Sequence, residues 1–102
     1  MLDPITLTVL HHRLQQITEE MDVILDRAAF SPIISEGRDR ASGIFSAVDG
    51  SLIAQGNTGM PIHVGAMQFA AATIARKDNH AVGDIYIIND PYLGGTHLMD
   101  VK

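Results

Sequence analysis

Cysteine is absent from this 102-residue sequence, and basic side chains are few, with 7 Lys and Arg against 12 Asp and Glu. Without cysteine the chain has no disulfide framework, no zinc ribbon and no thiol nucleophile. The net charge of −5 leaves no basic patch, so neither nucleic acid nor an anionic membrane is expected as a partner. No secretory signal is recognisable, and no apolar run approaches the roughly 20 residues that span a bilayer. These absences predict a soluble, cytoplasmic protein.

The first third of the chain predicts one long helix in a single globular domain. The composition, 46% hydrophobic and 19% charged, is typical of globular proteins rather than disordered ones. Asp3 can cap a helix and Pro4 suits its first position, while Pro32 disfavours helix at the residue before it, so the helix is predicted over 4–30. Apolar residues at alternating steps of four and three are expected to form its core face: Leu10, Leu14, Ile17, Met21, Ile24 and Ala28.

The next segment is polar and is then typical of short strands. Residues 33–40 form a polar connection whose charged residues are either a solvated cluster or a salt-bridge network beside a site. These charged residues are Glu36, Arg38, Asp39 and Arg40. The runs 42–48 and 51–55 are joined by Asp49-Gly50, which predicts a β-hairpin with a type I′ turn.

The second half of the chain completes a predicted α+β fold. Residues 60–64 are expected to be short and extended, and the alanine-rich residues 65–76 to form a helix buried on more than one side. The apolar, β-branched run 85–88 predicts a strand covered on both faces, and a further strand is expected to begin over 98–101. The fold class is therefore α+β, with a long N-terminal helix, a hairpin, a second helix and a buried strand, as part of a larger mixed α/β domain.

Candidate functional residues cluster where the predicted buried strand ends. Asp90, His97 and Asp100 offer oxygen and nitrogen donors that suit Mn²⁺, Fe²⁺ or Zn²⁺. Alternatively, Asp90 caps a turn and His97 is a histidine satisfied by backbone. Residues i and i+3 of a regular strand point to opposite faces, so His97 and Asp100 converge only if Leu98-Met99 is irregular. His63 is either a site residue on an adjacent loop or a packed or capping histidine.

The order of several segments resembles the hydantoinase B/oxoprolinase family over essentially the whole chain. The segment that carries most of the resemblance is Asn89-Asp90-Pro91-Tyr92-Leu93-Gly94-Gly95-Thr96-His97-Leu98-Met99-Asp100-Val101. The others are residues 3–7, 19–21, 31–34, 38–39, 45–50, 54–55, 61–67 and 83–84. Many members have Arg-Asp-Phe-Ser where this chain has Arg38-Asp39-Arg40-Ala41-Ser42, and Gly56-Asn57-Thr58-Gly59-Met60 replaces a stretch that more often carries a histidine. Both departures bear on the substrate rather than on the family.

The resemblance implies an ATP-dependent enzyme that hydrolyses a cyclic amide of the hydantoin or 5-oxoproline type. A hydantoinase A-type partner subunit would handle ATP and phosphorylate the substrate, which makes the assembly a hetero-oligomer. The alternatives are an acetone-carboxylase-like alpha subunit acting on a small ketone, and a non-catalytic fragment that only associates with partner chains. Because family members are several-fold longer, residues 1–102 are expected to be an incomplete N-terminal part of the domain and inactive alone.

The resemblance also implies roles for particular residues. His97 and Asp100 match the His-x-x-Asp pair that supplies ligands to manganese in the acetone enzymes, and a further histidine of the family lies beyond Lys102. The expected cofactor is therefore a divalent metal (manganese, zinc or iron), with ATP on the partner subunit. Asp90 matches the Asn-Asp-Pro element, and Asp90 and His63 are the candidate catalytic residues.

Overall fold

A computed structural model of the chain describes residues 1–95, 97, 98 and 100–102. The helices are α1 (Pro4–Ala28), α2 (Pro32–Ser35) and α3 (Pro61–Ala75). The strands β1 (Gly43–Phe45) and β2 (Leu52–Gln55) form an antiparallel pair, and a 3₁₀ turn covers Pro91–Leu93. The predicted α+β class is confirmed in its long N-terminal helix, its hairpin and its alanine-rich second helix.

The start of α1 follows the predicted capping pattern. The Asp3 carboxylate accepts hydrogen bonds from the backbone N–H groups of Ile5 and Thr6, both at 3.0 Å, which satisfies two of the amides that lack a partner inside the helix. The helix ends at Ala28, two residues earlier than predicted, because Ala29 is already extended ahead of the Ser31-Pro32 segment.

The face of α1 that packs on the rest of the chain is polar, so the predicted core face is wrong. Leu10, Ile17, Met21 and Ile24 are all exposed, with Ile24 at 66%. The two fully buried side chains of the helix are Thr18 and Asp22, on the row that passes through Leu14, Thr18, Asp22 and Asp26. The surface that meets this row supplies hydrogen-bonding partners rather than apolar area, and these partners determine which face of the helix turns inward.

Arg40 is the main partner of this polar row. Its Nε donates to Asp26 Oδ1 at 2.9 Å, and its Nη1 lies 3.1 Å from Asp22 Oδ1 as an ion pair. Arg40 Nη2 donates to Thr58 Oγ1 at 2.9 Å, and that hydroxyl donates to Asp22 Oδ2 at 3.0 Å. Arg40 is 7% exposed and Asp22 is 2% exposed. Of the two alternatives for the charged residues of 33–40, Arg40 is part of a salt-bridge network. Its members, Asp22, Asp26, Arg40 and Thr58, are called the Arg40 network below.

Acid should weaken the Arg40 network through Asp26. The hydrogen bond from Arg40 lowers the pKa of Asp26 below its ordinary value of 3.8. A carboxyl whose pKa is lowered by folding contributes stability above its ordinary pKa, and that stability is lost as pH falls through the lowered value. We expect the free energy of unfolding, measured in urea at a series of pH values, to fall less steeply below pH 3.8 in Asp26→Asn than in the unchanged chain. Equal slopes for Asp26→Asn and the unchanged chain would contradict the expectation.

The hairpin is confirmed, but its turn is longer than predicted. Ser46 N–H donates to Ser51 O at 2.8 Å, and Gly50 N–H donates to Ser46 O at 2.8 Å. Gly50 has a positive φ of 78°, whereas Asp49 does not, so the turn is not the type I′ turn that needs positive φ at both central residues. Asp49 instead accepts a hydrogen bond from Ser51 N–H at 2.9 Å, which closes the longer turn locally.

The second helix begins earlier than the sequence predicts. α3 starts at Pro61, so residues 61–64 are helical rather than extended, because proline is well suited to the first helical position. The helix buries Val64 and Ala70 but leaves Phe69 63% exposed, so it is not covered all round within this chain. Gly94, in the turn after Leu93, lies directly against the backbone of Phe69 and Ala70.

The predicted buried strand over 85–88 is wrong. Ile85 and Ile87 are 90% and 79% exposed, because the described residues supply no layer that could cover either face of such a strand. Ile88 and Lys102 do exchange both backbone hydrogen bonds, at 2.8 and 2.9 Å, as directly opposed residues of an antiparallel pair do. Leu98 lies in a turn rather than at the start of a strand. Within the described residues, no helix combines the length and apolar character that a membrane crossing needs.

Candidate functional site

A cavity of about 620 Å³ lies between the end of α1, the loop that carries Arg40, the start of α3 and the last residues of the chain. Its apolar lining includes Leu25, Ile33, Ile34, Met67 and Val101. Its polar lining includes Asp39, His63, Asp100 and Lys102. The cavity therefore brings together residues from both ends of the sequence, and two of the predicted site residues, His63 and Asp100, are among them.

His63 is paired with Asp39 across the cavity wall. His63 Nε2 lies 2.7 Å from Asp39 Oδ1, and the imidazole is 12% exposed while the carboxylate is 45% exposed. His63 belongs to the first turn of α3, where its N–H donates to Met60 O at 3.1 Å. His63 thus lines the cavity from a helix rather than from a loop, and its role as a site residue stays a prediction.

His97 and Asp100 converge through a turn. Asp100 N–H donates to His97 O at 3.3 Å, and His97 N–H donates to Asp100 Oδ2 at 3.2 Å. The same Asp100 oxygen lies 3.3 Å from His97 Nδ1. This convergence was expected only if the backbone between the two residues is irregular. Leu98 lies in a turn, as that expectation requires, and Met99 lies outside the described residues.

The two pairs of side chains meet at their imidazoles. The ring centroids of His63 and His97 are 6.1 Å apart with an interplanar angle of 80°, an edge-to-face arrangement. Asp39, His63, His97 and Asp100 thus form one continuous group, called the acid–histidine group below. Asp39, His63 and Asp100 line the cavity, whereas the His97 side chain is 73% exposed and does not. Imidazoles and carboxylates grouped in this way can bind a cation, orient a polar substrate or accept a proton.

Asp90 has a different place in the structure. Its carboxylate accepts a hydrogen bond from Tyr92 N–H at 2.9 Å, and its carbonyl accepts from Leu93 and Gly95 N–H groups, both at 3.1 Å. This matches the alternative in which Asp90 caps a turn. Asp90 does not line the cavity, and a catalytic role for it stays a prediction.

Asp39 is the residue of the group to which the sequence assigned no site role. It stood in a run of charges, and nothing in the sequence separates a solvated carboxylate from one directed at a histidine 24 positions later. Its neighbour Arg38 adopts a left-handed φ of 55°, which turns the chain there and which the sequence does not signal. The available hint was the position of Arg38-Asp39 among the segments that resemble the family.

The donor atoms of His97 and Asp100 suit a divalent metal, but two protein ligands are too few to hold one. His97 and Asp100 offer one nitrogen and one oxygen donor, which suit manganese, zinc or iron. Protein metal centres of this kind generally use three or more protein ligands. No set of three or more His, Asp or Glu side chains in the described part of the chain is arranged to hold a metal ion. The pair can therefore supply only part of a metal centre.

Comparison with known proteins places the chain in a family. A sequence model of the hydantoinase B/oxoprolinase family matches residues 3–102. The chain belongs to the hydantoinase B/oxoprolinase family. No solved structure matches it.

Named relatives support the hydantoinase B/oxoprolinase assignment across organisms. The chain is 39% identical to the 5-oxoprolinase of Dictyostelium discoideum over 102 residues, which cover 98% of this chain and 8% of that protein. It is 32% identical to the caprolactamase subunit beta of Pseudomonas jessenii over 101 residues, 97% of this chain and 17% of that protein. An uncharacterised protein of Methanocaldococcus jannaschii is 36% identical over 105 residues, with 98% and 18% covered. The chain thus spans less than a fifth of the length of these relatives.

Proposed function

We propose that this chain supplies part of the catalytic centre of an ATP-dependent cyclic-amide hydrolase. The observation that carries the proposal is the acid–histidine group, of which Asp39, His63 and Asp100 line one cavity. The family supports it, because the named relatives are a 5-oxoprolinase and a caprolactamase, and both oxoproline and caprolactam are cyclic amides. These names favour hydrolysis over the carboxylation of a small ketone.

His63 is proposed as the proton acceptor of the reaction. Hydrolysis of a cyclic amide forms a bond from a water oxygen to the carbonyl carbon and breaks the bond from that carbon to the ring nitrogen. The attacking water gives up a proton to His63, and His63 returns that proton to the departing nitrogen as the ring opens. An imidazole suits this role because its ordinary pKa lies near neutral pH.

His97 and Asp100 are proposed as two ligands of a divalent metal, whose remaining ligands lie outside the described residues. Such a metal, when bound, polarises a carbonyl oxygen or lowers the pKa of a water molecule. The apolar wall of Leu25, Ile33 and Met67 would pack against the carbon atoms of the substrate ring and limit the access of bulk water.

A hydantoinase A-type subunit is proposed to bind and hydrolyse ATP in a cytoplasmic hetero-oligomer with this chain. The relative from Pseudomonas jessenii is named as a subunit beta, which supports an assembly of unlike chains. The expectation that residues 1–102 are an incomplete part of their domain, inactive alone, is part of the same proposal.

Replacing His97 tests the proposal. In the whole protein that carries this sequence, purified with the chains that accompany it, His97→Ala should lose the bound divalent metal measured by elemental mass spectrometry. ATP-dependent ring opening of 5-oxoproline, hydantoin or caprolactam should fall by more than about 100-fold, because even the residues that support metal ligands are worth 10- to 100-fold.

His80→Ala is the matched control, because His80 is an exposed histidine that contacts Tyr86 and lies outside the cavity. It should keep both metal and activity. Survival of metal and activity in His97→Ala would refute the metal site. If His97→Ala loses the metal but the unchanged protein opens none of the three amide rings, the metal site is supported and the hydrolase is refuted.

A further inference from the structure

The hairpin turn, residues 46–51, contains the one aspartate of the sequence that is followed by glycine, Asp49-Gly50. The backbone nitrogen of a residue that follows aspartate can attack the side-chain carboxyl carbon, and glycine hinders this attack least because it has no Cβ. This pair is therefore the place in the chain where a spontaneous rearrangement of the backbone is chemically easiest.

The rearrangement has two steps. In the first, the Gly50 nitrogen forms a bond to Asp49 Cγ, the bond from Cγ to its hydroxyl breaks, and water leaves with the amide proton, which closes a five-membered succinimide ring. In the second, water adds back to the ring. Addition at Cγ restores aspartate, whereas addition at the α-carbonyl carbon gives isoaspartate, in which the main chain runs through Cγ.

The folded turn keeps the Asp49 carboxylate in its unreactive form. Asp49 Oδ1 accepts hydrogen bonds from Ser51 N–H at 2.9 Å and from the Ser51 hydroxyl at 2.7 Å. These bonds, the backbone one foremost, lower the pKa of Asp49 below its ordinary value of 3.8 and so keep it ionised. Ring closure needs the protonated carboxyl, because its hydroxyl leaves as water whereas an oxide does not leave.

The attacking nitrogen is also engaged in the folded chain. Gly50 N–H donates to Ser46 O at 2.8 Å, and Gly50 is buried although Asp49 is exposed. Gly50 packs so closely on α3 that a Cβ built there would overlap the backbone of Ala72. Because ring closure removes the hydrogen that Gly50 donates, the bond to Ser46 has to break before the reaction can occur.

We propose that Asp49-Gly50 is a latent isomerisation site, held unreactive by its bonds to Ser51 and Ser46, which reacts when the hairpin turn separates from α3 and then cannot dock again. The succinimide has no hydrogen on the Gly50 nitrogen to donate to Ser46. Isoaspartate adds one carbon to the main chain directly before Gly50, where the contact with Ala72 leaves no room. The proposal is independent of the proposed function, since it involves no member of the acid–histidine group.

The rate of isoaspartate formation at residue 49 tests the protection. The whole protein that carries this sequence is incubated at one pH and temperature, folded in buffer and unfolded in urea, and peptide mapping with electron-transfer fragmentation measures isoaspartate. It should form at least about tenfold more slowly in the folded protein, because only the minor open population reacts. A synthetic peptide of residues 44–54, incubated in the same two solutions, corrects for any effect of urea on the chemistry. Equal corrected rates would overturn the proposal.

Ser51→Ala tests the hold on the carboxylate. It removes the hydroxyl donor to Asp49 and should accelerate isomerisation of the folded protein by about fivefold, the factor that corresponds to one hydrogen bond of ordinary strength. In urea the variant should react at the unchanged rate. Ser35→Ala makes the same chemical change in α2, where the hydroxyl donates to Ser31 O, and should leave the rate at residue 49 as it was. No acceleration in Ser51→Ala, or equal acceleration in both variants, would contradict the proposal.

Hydrogen exchange of the aged, folded protein tests the loss of docking. Peptides that cover residues 46–51 with aspartate or isoaspartate separate in chromatography, so both forms are compared within one sample. The isoaspartate form should exchange its amide hydrogens faster, since Gly50 no longer donates to Ser46. Equal exchange in the two forms would show that the modified turn still docks on α3 and would refute that part of the proposal.

Discussion

Arg40→Ala should lower the free energy of unfolding by about 3–5 kcal/mol, the largest effect that we expect from a single substitution in this chain. The guanidinium is the only described cation within reach of Asp22, which is 2% exposed and is held inside the polar face of α1. Without Arg40, Asp22 would keep its hydrogen bond from Thr58 but would remain a buried charge with no counter-charge. Urea denaturation followed by circular dichroism measures the loss.

The matched control for Arg40→Ala is Arg13→Ala. Arg13 lies on the exposed side of α1 and donates to Gln16 at 3.2 Å, and its removal should change stability by no more than about 0.5 kcal/mol. Adding Asp22→Asn to Arg40→Ala should recover part of the lost stability, because a neutral amide needs no counter-charge. Equal effects of Arg40→Ala and Arg13→Ala would show that the Arg40 network contributes nothing to folding.

Gly94→Ala is the second substitution with a large expected effect. Gly94 has a φ of 108°, outside the conformations that alanine adopts readily, and an added Cβ would meet the backbone of Phe69 and Ala70 in α3. Backbone strain and overpacking together should cost about 2–4 kcal/mol. Because the same turn bonds to α3 through Thr73 Oγ1 and Leu93 O at 3.2 Å, amide exchange at Leu93 and Gly95 should report the loosened contact.

Gly65→Ala is the matched control for Gly94→Ala, because it adds the same methyl group at a different glycine. Gly65 lies within α3, and a Cβ built there meets nothing within 4 Å. Alanine should therefore stabilise the helix by about 0.5–1 kcal/mol rather than destabilise it. A loss of stability in Gly65→Ala as large as that in Gly94→Ala would mean that the close approach at Gly94 is not the cause.

Local signals in the sequence predicted α1, the hairpin and most of α3, but they missed α2 and wrongly predicted a strand over 85–88. The Asp3 cap, Pro32 after the end of α1 and the Asp49-Gly50 pair act over a few residues, so α1 and the hairpin were predictable. Which face of α1 turns inward depends on Arg40 and Thr58, which lie far along the chain from the helix. A rule based on apolar spacing assumes that the opposing surface is apolar, and here it is charged.

The candidate site was predictable to the extent that its residues are close in sequence. His97 and Asp100 are three residues apart, and their convergence required only that the backbone be irregular, which it is at Leu98. The pairing of Asp39 with His63 spans 24 positions and depends on the left-handed Arg38 and on the bond from Met60 to Arg40. None of these three features leaves a spacing pattern that could be recognised beforehand.

The spacing of Asp22 and Asp26 determines how far along its own axis α1 lies relative to Arg40. Asp22 and Asp26 are four residues apart, about one turn or 5.4 Å of helix, and the Arg40 guanidinium contacts both. Displacement by one turn in one direction would put Thr18 at the position of Asp22 and Asp22 at the position of Asp26, which leaves the guanidinium one carboxylate short. In the other direction α1 has no residue to take the position of Asp26, because the helix ends at Ala28. Apolar contacts tolerate sliding, whereas this paired contact does not. The two ion pairs of Arg40 therefore hold the loop that carries Asp39 at one fixed position along the 25-residue helix α1.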